Sequence, residues 1–306
     1  MGFAVPVLRG KAMNEVTPQR LGVEMQRVQA KPPGMEQFPF FVHARDDAFI
    51  SRKIRTRGVW EQFESQLLLS LLRPQDQVLD IGANIGWYTV SAARRVGSTG
   101  HVFAFEPDPR NYSILAANIA QGDLSWVTAQ RFALGRTSGT AAMQGSMDNQ
   151  GDLRVRNFTA QAGPLMDDEI SVVALDDYLA GQEAFRLERL RILKMDVQGF
   201  EYEVFSGARR LLQSLPTATV CFIEFDPALL KENGADACEG LLECIESLGR
   251  SVFAIRRPVW HLKKMTVDDL RRAIAPDACF DLVIAHDDAL ADLRGTLPLV
   301  PRLLSR

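Results

Sequence analysis

The sequence predicts an α/β fold: a seven-stranded, mostly parallel sheet with helices on both faces and an antiparallel last strand. Three observations predict it. Short buried-type strands alternate with helical stretches from Val78 onward, the pattern of parallel βαβ units. The first of these strands runs directly into a glycine-bearing turn, Gly82-Ala83-Asn84-Ile85-Gly86. The final two strands are joined by a loop and a short helix, which lets the last one run antiparallel at the sheet edge.

Residues 1–57 form an extension interrupted at Pro32-Pro33-Gly34, with short apolar runs around Phe40 and Phe49. From Trp60 to Leu72, apolar residues recur at steps of three and four (Trp60, Phe63, Leu67, Leu68, Leu71), and Pro74 stops this helix. Strand one is Val78–Ile81, with a helix through Val96 behind it. Strand two, Val102–Phe105, ends in Glu106-Pro107 and precedes the helix Arg110–Ala120; strand three is Val127–Leu134, stopped by Gly135. The stretch 136–170 is too long for an ordinary connection and is expected to act as an insert or lid. Within it Leu153-Arg154-Val155-Arg156 alternates like an edge strand. Leu190–Met195 before Asp196 and Thr219–Ile223 before Glu224 are strands four and five. Ser251–Arg256, the helix Val267–Ile274 and Phe280–Ala285 complete the sheet.

Composition bounds the function. A length of 306 residues suggests about two domains, but the element pattern fits one domain over 58–287, flanked by the 1–57 extension and a 288–306 tail. With 46% hydrophobic and 24% charged residues the chain can bury a sizeable core, which excludes disordered and small disulfide-framed classes. A net charge of −3 lacks the basic excess of non-specific nucleic-acid binders. Cys221, Cys238, Cys244 and Cys279 form no C-x-x-C pair, so neither a disulfide frame nor a zinc site is expected. No apolar run approaches the ~20 residues that span a bilayer. The start, with Pro6 in it, has neither a signal-peptide pattern nor a myristoylation pattern. A cytoplasmic location without membrane attachment is therefore expected.

Ligands of open α/β sheets bind outside the carboxyl ends of the strands. Gly82 and Gly86 let the backbone turn tightly there, and Asp80 can pair with a cationic group or orient the loop. Glu106 is placed to accept hydrogen bonds from both hydroxyls of a ribose. Asn84 stands where dinucleotide folds carry the middle glycine that lets backbone crowd a pyrophosphate. A cationic nucleoside cofactor without phosphate, S-adenosylmethionine, fits both features better than NAD.

Val78-Leu79-Asp80-Ile81-Gly82-Ala83-Asn84-Ile85-Gly86-Trp87-Tyr88-Thr89 resembles the first motif of the FkbM-type S-adenosylmethionine-dependent methyltransferases. The resemblance continues in Phe103–Pro107, Phe132–Gly135 and Val173–Leu179. It is most specific at Leu193-Lys194-Met195-Asp196-Val197-Gln198-Gly199-Phe200-Glu201, followed by Ile223-Glu224-Phe225. Gln198 departs from the family pattern, which carries Glu there. The resemblance implies a Rossmann-like methyltransferase fold with strand order 3-2-1-4-5-7-6. It also implies S-adenosylmethionine held by Asp80, Gly82, Ala83, Asn84, Gly86 and Glu106, with Ala133 beside the adenine.

Methyl transfer to an alcohol needs alignment and somewhere for the proton to go. Asp196 is the first candidate for the base or acceptor-orienting group; its competing role is to cap the helix that Glu201 opens. Lys194 either pairs with an acid such as Glu224 or takes part in catalysis. Glu224 is the neighbouring strand-end carboxylate. Asp196 and Glu224 lack a third clear oxygen ligand, so no metal is assigned. His261, in the loop between the last two strands, is the histidine placed to reach an acceptor; His101 and His286 belong on the opposite side, and nothing decides His43. Arg154 and Arg156 either meet an anionic acceptor or blunt a sheet edge. The expected activity is O-methylation of a hydroxyl on a small metabolite or sugar, with a homodimer left open. The alternatives are an NAD-dependent oxidoreductase and a non-catalytic cofactor-binding accessory protein.

Overall fold

The computed structural model describes residues 22–45, 47, 49–146, 149–156, 165–256, 261–275 and 278–293. The beginning of the 1–57 extension and most of the 288–306 tail lie outside the described residues, as do the side chains of Arg154 and Arg156.

The central sheet is built from strands with a strong buried pattern. β3 (Gln77–Ile81) and β10 (Leu190–Met195) are buried along their whole length, as expected of strands covered on both faces. β3 pairs in parallel with β4 (His101–Phe105), β4 with β5 (Val127–Gln130), β3 with β10, and β10 with β11 (Val220–Phe225). β14 (Phe280–Ala285) runs antiparallel to both β11 and β12 (Ser251–Arg256). The strand count is eight rather than seven, because β13 (His261–Met265) adds antiparallel to β12 at the edge. Of its five residues only Leu262 and Met265 are buried, so its sequence lacks the alternation that marks a strand.

Helices cap themselves where the sequence supplies the chemistry. Asp108 accepts from the Arg110 and Asn111 backbone N–H groups and opens α4 (Pro109–Gln121) with Pro109 at its first position. α2 (Gln62–Leu71) and α3 (Trp87–Val96) pack on one face of the sheet, with Leu67, Leu68 and Leu71 buried against it. Burial of each such leucine contributes on the order of 2 kcal/mol. The other face is covered by α6 (Glu201–Ser206) and α9 (Ala237–Ser247), which meet Leu193, Met195 and Ile223.

Two segments differ from expectation. Strand three does not continue from Val127 to Leu134. Ala133–Leu134 form β6, which leaves the main sheet to pair in parallel with Val172 and Val173 of β9 (Leu165–Val173). The insert supplies β7 (Gly139–Ser146), β8 (Asn149–Arg156) and β9 to a second sheet ordered β6-β9-β7-β8; Leu153–Arg156 lies in β8 at the sheet edge, as its alternation predicts, but the other strands of this sheet were not foreseen. The extension forms a hairpin, β1 (Met25–Ala30) and β2 (Phe38–His43), followed by α1 (Ile50–Arg57). It is clamped to the main domain: the Phe41 N–H donates to Asn118 Oδ1 (2.6 Å), and Asn118 Nδ2 donates to the carbonyls of Phe41 and Ile85.

Candidate active site

A cleft of about 850 Å³ opens at the carboxyl ends of β3, β4 and β10. Its floor is the turn after β3. Gly82 has φ +80°, and a Cβ there would overlap the carbonyl oxygen of Asp196, so only glycine lets this turn lie against the end of β10. Every backbone N–H of the turn is engaged. Gly82 and Ala83 donate to the Phe105 carbonyl (3.0 and 2.9 Å), Asn84 to Glu106 Oε2 (2.8 Å), Ile85 to Asn84 Oδ1 (2.8 Å) and Gly86 to the Ala83 carbonyl (2.9 Å).

Glu106 directly follows β4 and is 5% exposed; its second oxygen accepts from the Asp108 N–H at 2.9 Å. Each oxygen therefore has one fixed donor and lone pairs left toward the cleft. Burial, reinforced by the Asp108 charge, pushes its carboxyl up to about 8. Beside it Phe132, Phe105, Ala133 and Leu134 make an apolar wall, braced by edge contacts of Phe105 and Phe132 with Tyr178.

Of the expected cofactor residues, Gly82, Ala83, Asn84, Glu106 and Ala133 line the cleft. Asp80 and Gly86 do not. Asp80 is 1% exposed beneath the turn, where Thr89 Oγ1 donates to one of its oxygens. Gly86 begins α3 and is packed against Leu115. Both support the turn instead of touching its contents.

Lys194 and Asp196 line the cleft and also a smaller adjoining cavity, of about 290 Å³, shared with Glu61, Glu64, Glu224 and Asp281. Five carboxylates thus surround one ammonium. Lys194 Nζ lies 3.3 Å from Asp196 Oδ2 and 4.7 Å from the Tyr88 ring centre. Burial alone would lower its pKa, but Asp196, Glu64, Asp80 and Glu61 together hold the ammonium charged. The acid that Lys194 pairs with is therefore Asp196 and not Glu224. Asp196 does not cap a helix: its Oδ1 accepts from Gln198 Nε2 at 2.8 Å. The loop is held instead by Glu201, whose Oε1 accepts from the Val197 and Gly199 N–H groups. Burial raises Glu201 and Glu61 to about 7 and Glu224 well above the usual carboxylate range.

His261 is a correction. It starts β13, opposite Arg256, is exposed, and lines neither the cleft nor the acidic cavity; pairing with β12 carries it to the sheet edge. His101 bonds Thr128 and His43 bonds Asn111, each at 2.8 Å. Sequence reasoning assigned no site role to Ile50, Trp60, Phe132 and Tyr88, and noted Gln198 only as a departure from the family pattern; all five line the cleft. Trp60 and Phe132 fell within a helix and a strand read from the sequence, and their aromatic character was the available signal. Among the described residues no group of three or more His, Cys, Asp or Glu side chains could hold a metal ion, and no helix is long and apolar enough to cross a membrane.

The raised carboxyls make stability depend on pH. Glu106, Glu61 and Glu201 keep protons in the folded state that the unfolded chain, with its ordinary value of 4.5, has released. Stability should therefore be greatest below that value and fall as pH rises from about 5 to about 8. Thermal midpoints measured across this window check the sign; a rising or flat midpoint contradicts it.

Comparison with known proteins gives a consistent picture. The model of the FkbM methyltransferase domain matches residues 80–252. Methyltransferase 1 of Beauveria bassiana is 29% identical over 150 residues, covering 44% of this chain and 59% of that protein. The hexuronic acid methyltransferase AglP of Haloferax volcanii is 27% identical over 155 residues, covering 51% of this chain and 59% of that protein. The match thus spans 59% of the length of each relative. A Bacillus cereus O-methyltransferase solved with SAH aligns at 14% identity and a TM-score of 0.42, over 74% of this chain and 80% of that one.

Proposed function

The chain belongs to the FkbM methyltransferase family, and from that premise we propose that it transfers a methyl group from S-adenosylmethionine to a hydroxyl of a small metabolite or sugar. The observation that carries the cofactor assignment is the complete engagement of the Gly82–Gly86 backbone N–H groups. A pyrophosphate needs such groups as donors; a cofactor without phosphate does not. This weighs against the NAD-dependent oxidoreductase reading.

The residues present fit S-adenosylmethionine. Gly82 leaves a cradle that a Cβ would fill, Glu106 offers buried acceptor lone pairs suited to a ribose diol, and the Phe105–Phe132 wall beside Ala133 suits a flat base. When bound, this cofactor supplies an activated methyl carbon. The protein's part is to align the acceptor and take up its proton. Asp196 stands where the cleft meets the acidic cavity, and is proposed as the base or orienting group. Lys194 Nζ, 3.3 Å from Asp196 Oδ2, orients that carboxyl, and Glu224 is the neighbouring strand-end carboxyl. Ile50 from the extension and Val155 from the insert line the same cleft, so both added segments are proposed to shape acceptor recognition.

The test is a titration with S-adenosylhomocysteine and NAD, followed by a methyl-transfer screen over hydroxylated metabolites and sugars. Binding of the first ligand without the second, together with transfer, is expected. Binding of NAD alone refutes the proposal, and binding without transfer to any acceptor supports the accessory reading. In the same titration Glu106→Ala should weaken S-adenosylhomocysteine binding by about 10- to 100-fold through loss of the hydrogen bonds of a buried carboxyl, while circular dichroism stays unchanged. Unaltered affinity would remove Glu106 from the cofactor site.

A further inference from the structure

Gln198 takes the left-handed conformation, φ +53°, on the loop between β10 and α6. That backbone costs a non-glycine residue of order 1 kcal/mol, and here it aims the side chain between two carboxylates. Its Nε2 lies 2.8 Å from Asp196 Oδ1 and 2.8 Å from Glu224 Oε2. Both partners are carboxyl oxygens, so the nitrogen must face them, and both of its hydrogens are used.

We propose that Gln198 is a positioning residue whose amide bridges Asp196 and Glu224, holding them as a fixed pair of hydrogen-bond acceptors between the cofactor cleft and the acidic cavity. The role of Asp196 in this statement rests on the methyl-transfer reading above; the bridge itself does not. Lys194 from β10 faces Asp196 from the other side, at 3.3 Å. Glu61 just before α2, Glu64 within it, Asp281 of β14 and Glu201 of α6 complete the charged surroundings of the pair. Cys279 adds a thiol 3.8 Å from Glu224 Oε1. Lys194 does not touch Glu224 in this arrangement, so the amide is what ties the second carboxyl to the first. A neutral double donor is the group that can join two acidic side chains without adding charge; a carboxylate in its place would be a third acceptor and would need a proton to stay.

The test compares Gln198→Glu with Gln198→Met, which keeps length but removes both donors. Thermal midpoints are read from about pH 6 to about pH 9, where an added carboxyl in acidic surroundings would titrate. Gln198→Glu should lie close to the wild type at the acid end and fall behind by a further ~4 °C or more toward the alkaline end. Gln198→Met adds no ionisable group, so its deficit should change with pH less steeply than that of Gln198→Glu. A pH-independent difference for Gln198→Glu, or one equal to that of Gln198→Met throughout, overturns the bridge. These midpoints need no acceptor and no cofactor, so they stand even if the methyl-transfer reading fails. With an acceptor from the screen, kcat of Gln198→Glu should drop about tenfold at the alkaline end and recover at the acid end. Equal kcat loss at both ends assigns Gln198 a packing role and overturns the positioning role.

Discussion

Gly82→Ala should destabilise the protein by about 3–5 kcal/mol and lower its thermal midpoint by roughly 10 °C. Two costs combine. Residue 82 sits at φ +80°, where any side chain costs about 1 kcal/mol. The added Cβ would also overlap the carbonyl oxygen of Asp196 and lie 2.9 Å from its carbonyl carbon. Neither obstacle is a flexible side chain. Relief requires β10 to move away from β3 where the Asp196 N–H donates to the Ile81 carbonyl at 3.0 Å. That movement would displace Asp196 and widen the floor of the cleft, so cofactor binding should fall together with stability. Gly58→Ala is the control. It is also left-handed, with φ +72° and ψ 2°, but a Cβ added there would come no nearer than 3.4 Å to another atom, so it should carry only the conformational cost of about 1 kcal/mol. Equal midpoints for the two variants would show that the approach of the Gly82 turn to Asp196 is not a tight one.

The same turn shows what was legible in the sequence. Gly82, Asn84 and Glu106 could be placed because their positions follow from local rules: a short apolar strand, a turn, a helix, and an acid at the next strand end. Asp80 could be placed in the chain but not in the cleft. Its neighbours across the sheet and in α3 decide that it lies beneath the turn, and no local pattern carries that information. Ala133 and Leu134 follow an apolar run that reads as one strand. Their partners, Val172 and Val173, are about forty residues away and draw them into a second sheet. β13 was illegible because an edge strand with three exposed residues of five needs no alternation, and with it went the placement of His261. The acidic cavity is likewise a product of tertiary assembly: Glu61, Glu224 and Asp281 come from three separate elements. Gln198 could be noticed as a departure from a family pattern, but its left-handed backbone and its two carboxyl partners appear only once β10 and β11 lie side by side.

Asp196→Asn should reduce turnover by about 10²- to 10⁴-fold while S-adenosylhomocysteine binding changes by less than about threefold. The substitution preserves size and leaves the Gly82 turn, Glu106 and the aromatic wall untouched, so the cofactor contacts persist. What it removes is the negative charge at the boundary of cleft and acidic cavity, and the capacity to receive a proton from a hydroxyl as it is methylated. The amide also turns a donor toward either Lys194 or Gln198, both of which are donors themselves, so one of these hydrogen bonds must be lost. Lys194 keeps its charge, since Glu64, Asp80 and Glu61 still surround it, and the fold should therefore survive. Separate measurement of kcat and of the dissociation constant distinguishes the outcomes. A loss confined to kcat supports proton uptake or orientation by Asp196. A loss confined to binding makes Asp196 a cofactor contact. Turnover within about threefold of the wild type would move the role to Glu224, the remaining strand-end carboxyl on the same amide bridge, because His261 lies at the far edge of the sheet.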